Sequence, residues 1–227
     1  MADLIRGLDA ARVRSNREQV EAVIAAAARR AGRDAGAVEL CAATKYVAPE
    51  VLGVLADAGI TLVGENRAQD LEAKREAMGD RFAWDFIGHL QSRKVRLILP
   101  HVRLIHSVCT DSVLTQLERH AEPQTEVLVE VNTAGEGSKS GVAPAELGAF
   151  IARCPVAVAG LMTMPPLARD PEASRPHFAR LRELATEHGL TRLSMGTTQD
   201  YPVAVEEGAT IVRIGTRLYE ELQPAPA

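Results

Sequence analysis

Two kinds of hydrophobic pattern alternate along the chain. Short apolar runs recur at "VELCAAT" (38–44), "TLVG" (61–64), "WDFIG" (84–88) and "RLIHSV" (103–108). They continue with "EVLVEVN" (126–132), "VAVAGLM" (156–162), "RLSMG" (192–196) and "TIVRIG" (210–215). Runs of this length and apolarity read as strands covered on both faces. Between them lie segments with helical spacing: "PEVLGVLADAG" (49–59), "RAQDLEAKREAM" (67–78), "TDSVLTQLERHA" (110–121), "APAELGAFIARC" (143–154), "SRPHFARLRELATEHG" (174–189) and "QDYPVAVEEGA" (199–209). Ahead of the first strand, Leu8, Val13, Val20, Val23, Ile24 and Ala27 fall close to a 3.6-residue period, which predicts an extra N-terminal helix ending near Arg30 and Gly32.

Strand, helix, strand repeated through the whole chain means a parallel sheet. Eight such units in 227 residues, at about 28 residues per unit, fit a single α/β domain folded as a (β/α)8 barrel. An open doubly wound sheet is the rival arrangement. It calls for a nucleotide-type fingerprint or a break in strand order, and "GEGSKSG" (135–141) matches neither glycine-rich phosphate motif. No linker divides the chain, so one domain is expected over 1–227, with 221–227 as a frayed tail.

Composition narrows the function classes. The net charge is -4, with no long run of one sign, and aromatics are only 4%. Neither a nucleic-acid footprint nor a base-stacking platform is expected. Cys41, Cys109 and Cys154 are odd in number and form no C-x-x-C, which argues against a disulfide framework or a zinc site. The N-terminus carries charges throughout, and no apolar run reaches membrane-spanning length. The expectation is a cytoplasmic monomer.

In a (β/α)8 barrel the active site lies at the C-terminal ends of the strands. There the chain places Lys45, Gly64-Glu65-Asn66, Gly88-His89, Ser107, Asn132, Met162-Thr163, Ser194-Met195-Gly196 and Gly215-Thr216. Lys45 is the unusual member. A lysine partly desolvated at a barrel mouth has a lowered pKa and offers a neutral amine that attacks carbonyls. A lysine snorkelling to solvent is the plain alternative. The loops "SMGTTQD" (194–200) and "RIGTR" (213–217) each carry a glycine and hydroxyls, and loops after strands seven and eight of such barrels often hold phosphate. Asp200 could instead simply cap the next helix. Arg213 lies inside the last apolar strand and needs a partner, either inside the barrel or at Glu206 or Glu207 on a helix. A nucleophilic lysine, a phosphate cup and a cation for a ring nitrogen describe a site for pyridoxal 5′-phosphate. A lysine aldolase for sugar phosphates needs the first two as well, so this constellation alone leaves both open.

The segments "GENRAQD" (64–70), "WDFIGHLQSRKV" (84–95), "IHSV" (105–108), "VNTAGEGSKSG" (131–141), "GLMTM" (160–164), "LSMGTTQD" (193–200) and "EEGATIVRIGT" (206–216) are more specific. In that order they resemble the pyridoxal-phosphate homeostasis proteins of the YggS/PROSC type, over nearly all of 42–219. The resemblance implies a barrel like the N-terminal domain of alanine racemases. It implies a Schiff-base lysine at Lys45 and phosphate contacts from Ser194, Met195, Gly196, Thr197, Gly215 and Thr216. Arg213 would face the pyridine nitrogen and Asn66 would lie near the cofactor, with His89, Ser107 and Asn132 lining the mouth. The family's usual "SMGMS" is "SMGTT" here, so Thr197 and Thr198 replace a Met-Ser pair.

The implied role is to hold pyridoxal phosphate and balance its supply to client enzymes, with effects on amino- and keto-acid metabolism. A slow amino-acid racemase is the rival. An arginine at the ring nitrogen weakens the ring as an electron sink, and alanine racemases then need a tyrosine from a second domain. The tyrosines here are Tyr46, Tyr201 and Tyr219. Strand alternation points Tyr46 away from Lys45. Lys139 reads as a solvated loop charge.

Overall fold

Residues 4–135 and 140–220 are described by the computed structural model. Eight strands are present among them: β1 Glu39–Ala43, β2 Leu62–Glu65, β3 Ala83–Phe86, β4 Leu104–Val108, β5 Glu126–Glu130, β6 Ala157–Met162, β7 Arg192–Thr197 and β8 Ile211–Ile214. All neighbours are parallel, and β1 pairs with both β2 and β8, which closes the barrel in sequence order. Each strand falls within a residue or two of an apolar run read from the sequence.

The helices are α1 Ala10–Arg30, α2 Gly53–Asp57, α3 Ala68–Met78, α4 Val95–Ile98, α5 Asp111–His120, α6 Leu147–Arg153, α7 Arg175–Glu187, α8 Tyr201–Glu206 and α9 Thr216–Tyr219. Three predicted helices are shorter than their patterns, the 199–209 segment giving only Tyr201–Glu206. The 49–59 and 143–154 segments each open with a 3-10 turn, Pro49–Val51 and Pro144–Glu146, because proline suits a first turn and leaves the helix proper to begin after it. The α4 segment, flanked by 3-10 turns at Ser92–Lys94 and Leu99–His101, was not expected. Four residues of helix are too few to show a period.

Strand side chains sort by alternation. Cys41, Leu62, Leu104, Leu128, Met162 and Ile211 pack together inside the barrel. Their chain neighbours Ala42, Val63, Ile105, Val127, Val129, Leu161 and Val212 pack outward in the larger cluster that includes the helices. Both faces are therefore apolar, which is why the strands lack a polar side in the sequence. The lower end of the barrel is closed by ions. Arg103 pairs with Glu39 at 2.6 Å, and Arg192 reaches Glu39 at 3.6 Å and Glu126 at 3.5 Å.

The N-terminal helix completes the ring. Among the described residues only the four-residue α9 follows β8, and α1 packs on α8 and α9. Asp9 caps α1 by accepting from the Arg12 N–H, and Val13, Val20 and Ile24 are buried beneath it. Those three side chains contribute on the order of 5 kcal/mol of burial. Asn16 donates to the carbonyls of Leu218 (3.1 Å) and Glu220 (3.0 Å), at about 1 kcal/mol each. Burial therefore holds the helix, and Asn16 sets where along the barrel it sits.

Gly160 marks the tightest strand contact: a Cβ there would lie 1.9 Å from the Arg192 carbonyl oxygen across the β6–β7 pair. Gly160→Ala is expected to force those strands apart and to cost on the order of 2–3 kcal/mol. A urea unfolding curve measures this, and a midpoint equal to that of the unmodified protein would contradict the packing described.

Candidate functional site

The C-terminal mouth is assembled in two halves. The first half is built around Thr44. Its carbonyl accepts from Lys74 Nζ at 2.8 Å, and Lys74 also pairs with Glu65 Oε2 at 2.6 Å. The Thr44 hydroxyl lies 3.1 Å from the same carboxylate oxygen, while Glu65 Oε1 accepts from the Asn66 N–H at 2.7 Å. Lys74 and Glu65 are both buried. One ion pair thus ties together the ends of β1 and β2, immediately behind Lys45 and Asn66. Sequence reasoning missed it, although a signal was present. Ala68, Leu71 and Lys74 share the buried stripe of α3, and a lysine on such a stripe needs an acid.

Lys45 occupies a turn just past β1 and is exposed, with Nζ 4.8 Å from the centroid of the Tyr46 ring. This corrects two expectations. Burial does not surround the amine, and Tyr46 does not point away from it. The turn breaks strand alternation, so the aromatic face comes under the ammonium. Asn66 adjoins this half, and its Oδ1 is buried without a hydrogen-bond partner. The backbone of Asn66 is pressed against Gly88, where a Cβ would fall 2.2 Å from the Asn66 carbonyl oxygen. The Ser107 hydroxyl donates to the Gly88 carbonyl. The "GEN" and "FIGH" motifs are therefore one interlocked crossing.

The second half belongs to β7, β8 and the loops after them. Gly196 has φ +89, and a Cβ there would meet Ala204 at 2.5 Å, so both the conformation and the space require glycine. Asp200 does not cap α8 with its side chain. It folds backward instead. Its Oδ1 accepts from the Thr197 N–H at 2.7 Å and the Thr197 hydroxyl at 3.1 Å, and its Oδ2 from Ser174 at 2.9 Å. The Thr198 hydroxyl accepts from the Gly215 N–H at 3.2 Å and joins the two glycine loops. Thr197 is thus committed to its own loop, and Thr198 faces the second loop. Thr216 is exposed and Gly215 half-buried.

Arg213 points into the barrel and is 5% exposed. Glu206 and Glu207, its conceivable surface partners, are taken by Arg175, Arg30 and Arg182. Arg213 Nη1 donates to the Ser194 hydroxyl at 2.5 Å, and Nη2 to the Thr163 carbonyl at 3.1 Å and to Met164 Sδ at 2.8 Å. Ser194 lies 2.8 Å from His106 Nδ1, and His106 Nε2 lies 3.1 Å from Asp85 Oδ2. Arg103 then holds both Asp85 oxygens, at 2.9 and 3.1 Å.

Burial pushes the Arg213 guanidinium down, and it pushes the His106 imidazole down more than the Asp85 carboxylate pulls it up. Burial raises the Asp85 carboxyl, but hydrogen bonds from His106 and Arg103 outweigh it and hold the group below its usual range. His106 is neutral in this setting and Asp85 is ionised. Neither His106 nor Asp85 stood among the sequence candidates. Both sit within apolar strand runs, and nothing local marks which way they face.

Ser194 is fully buried, so its side chain joins this network and does not face out into the loop after β7. Met195 is also fully buried, in the cluster between barrel and helices, and only its backbone faces the loop. A cleft of ≈ 470 Å³ at the mouth is lined by His89, Ser107, Glu130, Ser140, Met162 and Met164, among others. It contains two of the predicted mouth residues and adds Glu130, whose Oε1 accepts from Ser140 at 2.6 Å. Asn132 Oδ1 accepts from the Gly135 N–H at 3.1 Å. Lys139 and the tail 221–227 lie outside the described residues. No cluster of metal-ligand type occurs, and no helix is long and apolar enough to cross a membrane, among the described residues.

Strand pairing brings the halves together. Arg213 is opposite Cys41 on β1 and Thr197 on β7, and Gly215 lies beside Ala43, where a Cβ would come within 3.7 Å of the Ala43 Cβ. The lysine, the arginine and the glycine loops therefore come from three consecutive strands.

Comparisons with known proteins agree on one family. A pyridoxal phosphate homeostasis protein of Aquifex aeolicus is 43% identical over 209 residues, 86% of this chain and 92% of that protein. The solved structure of PipY from Synechococcus elongatus PCC7942 with PLP bound superposes with a TM-score of 0.71 at 32% identity, covering 81% of this chain and 93% of that one. Alanine racemase from Corynebacterium glutamicum gives a TM-score of 0.71 at 19% identity over 100% of this chain and 66% of that one, a likeness of fold. No family model matches the chain.

Two outcomes are expected from the buried charges. Lys74→Met leaves the Glu65 carboxylate unpaired and is expected to cost about 3–5 kcal/mol, with much of the loss recovered when Glu65→Gln is added. Denaturant titration of both variants checks this, and equal losses would refute it. The second outcome concerns pH. His106 is held below its unfolded value, so the unfolded state binds the extra proton and stability falls as pH drops below about 6.5. Asp85 is also depressed, and its contribution is lost only below about pH 4. The first decline should flatten in His106→Asn in denaturant titrations at two pH values, and an unchanged slope would contradict the assignment.

Proposed function

The chain belongs to the pyridoxal phosphate homeostasis protein family, and from that premise we propose that it binds pyridoxal 5′-phosphate at the C-terminal mouth of the barrel. The observation that carries the reading is the convergence of Lys45, Arg213 and the two glycine loops from β1, β8 and β7. The residues present fit the cofactor. Lys45 offers an accessible amine, and the loops offer backbone N–H groups at Gly196 and Thr216 with hydroxyls at Thr198 and Thr216. The buried, unpartnered Asn66 Oδ1 is a polar atom in want of a donor. When bound, the pyridoxal ring supplies an electron-withdrawing system that stabilises negative charge on an attached amine's carbon.

Within that reading Lys45 would hold the cofactor through its aldehyde, and Asn66 would be a neighbouring polar contact. Ser194 and Thr197 act indirectly, by holding Arg213 and Asp200, and Met195 contributes through its backbone. Arg213 is a donor only. Arg213 would hold the ring nitrogen as an acceptor, unprotonated, which would limit the ring as an electron sink.

A racemase-type turnover then needs a second proton-transferring group. Burial pushes the Tyr201 hydroxyl up, and it pushes the Tyr219 hydroxyl up further, where it donates to the Ala43 carbonyl at 3.1 Å. Tyr46 lies with its ring against the Lys45 ammonium. These placements favour a protein that holds and releases the cofactor over one that turns over amino acids. The exposure of Lys45 leaves the bound cofactor within reach of client enzymes that need it.

Titration with pyridoxal phosphate, followed by visible absorbance, borohydride reduction and peptide mapping, tests the reading. A band is expected in the unmodified protein, with the label on Lys45, and its loss in Lys45→Ala. A label on another residue would overturn the site. Incubation with amino acids in deuterium oxide is expected to give no more α-carbon exchange than free cofactor does. Robust exchange that depends on Lys45 would favour the racemase.

A further inference from the structure

The hydrogen bonds around Arg213 run in one direction, and that direction is set at the far end of the chain of contacts. Asp85 is an ionised carboxylate held by Arg103, so it can only accept. His106 Nε2, 3.1 Å away, must therefore carry the imidazole proton, which leaves Nδ1 as an acceptor. The Ser194 hydroxyl, 2.8 Å from Nδ1, must donate to it. Its lone pairs are then free for Arg213 Nη1. Each group has one orientation left, and the last presents an acceptor to the guanidinium.

A serine, a histidine and an aspartate in contact suggest a hydrolytic triad, but the arrangement excludes one. His106 and Asp85 are fully buried, as is Ser194, and the serine oxygen is already occupied by a cation. A nucleophile needs access to substrate. The groups instead form a rigid strut across the barrel, from Arg103 on the lower ion cluster to Arg213 beneath the mouth.

We propose that His106 is a positioning residue for Arg213: acting through Ser194, it fixes where the guanidinium points and so how well the ring nitrogen of pyridoxal phosphate is held. The assignment rests on the reading of the mouth as that cofactor's site. Without His106 nothing holds the serine hydroxyl from its other side, and its oxygen is no longer fixed against the guanidinium. Without Ser194, Arg213 keeps only the Thr163 carbonyl and the Met164 sulfur.

The test is a titration with pyridoxal phosphate, followed by visible absorbance, on the whole protein. His106→Leu, His106→Asn and Ser194→Ala are compared with the unmodified protein, and each is repeated in an Arg213→Ala background. His106→Leu and Ser194→Ala are expected to weaken binding about 10-fold and to move the pH at which the visible band titrates. His106→Asn keeps an amide oxygen for Ser194 and is expected to restore most of the affinity. With Arg213→Ala in place, the His106 and Ser194 substitutions should produce no further loss.

A folded His106→Leu that binds like the unmodified protein would overturn the proposal. So would a loss of the same factor whether or not Arg213 is present. If His106→Leu does not fold, Ser194→Ala decides by the same criteria. Absence of the band from the unmodified protein would overturn the reading of the mouth and the positioning role together. A normal band with indifferent variants would overturn the positioning role alone.

Discussion

A guanidinium inside a barrel of apolar side chains must have acceptors arranged around it, and much of this protein's interior answers to that constraint. An unpaired buried charge costs several kcal/mol. Arg213 meets the cost with a hydroxyl, a carbonyl and a thioether, while Asp200 and Glu130 act on it electrostatically from the rim. The hydroxyl is held by His106, the histidine by Asp85, and the aspartate by Arg103, which also takes Glu39. The same contacts that satisfy one cation therefore connect the two ends of the barrel.

The mouth depends on this interior and on closure of the strand ring. β8 lies between β7 and β1, so the arginine lies between the glycine loops and the lysine turn. That order is a consequence of parallel strands in sequence register. The first half of the mouth has its own support in the Lys74–Glu65 pair, which holds Thr44 and Asn66 from behind. Stability and site geometry share residues on both sides.

The strands were legible because burial on both faces writes continuous apolar runs into the sequence, and Lys45 and Arg213 stood out as charges at or inside such runs. Helix lengths were less legible, since a proline-led 3-10 turn and a true first turn look alike in a pattern. The interior network was not legible at all. Asp85 and His106 lie in different strands, and the register that makes them meet is set by the pairing of the neighbouring strands β3 and β4. Ser194 and Thr197 were read as loop donors because their motif is a loop motif. Whether such a hydroxyl faces the mouth or the interior depends on one step of strand alternation. Lys74 could have been found, because its place on the buried stripe of α3 is visible in the spacing.

The Asn16 side chain joins positions 202 residues apart. A chain leaving the ribosome makes α1 early, and α8 and α9, the helices on which it mainly packs, late. Until α8, β8 and α9 emerge, α1 lacks most of the surface it packs on, β1 has one open edge, and the ring that encloses Arg213's network is not closed. Nothing partial can be stable in the way the finished ring is, because loop closure over that span comes before the contacts that reward it. The barrel therefore cannot close until β8 and α9 have been made. During that interval the exposed edge of β1 is the surface most in need of protection from other chains.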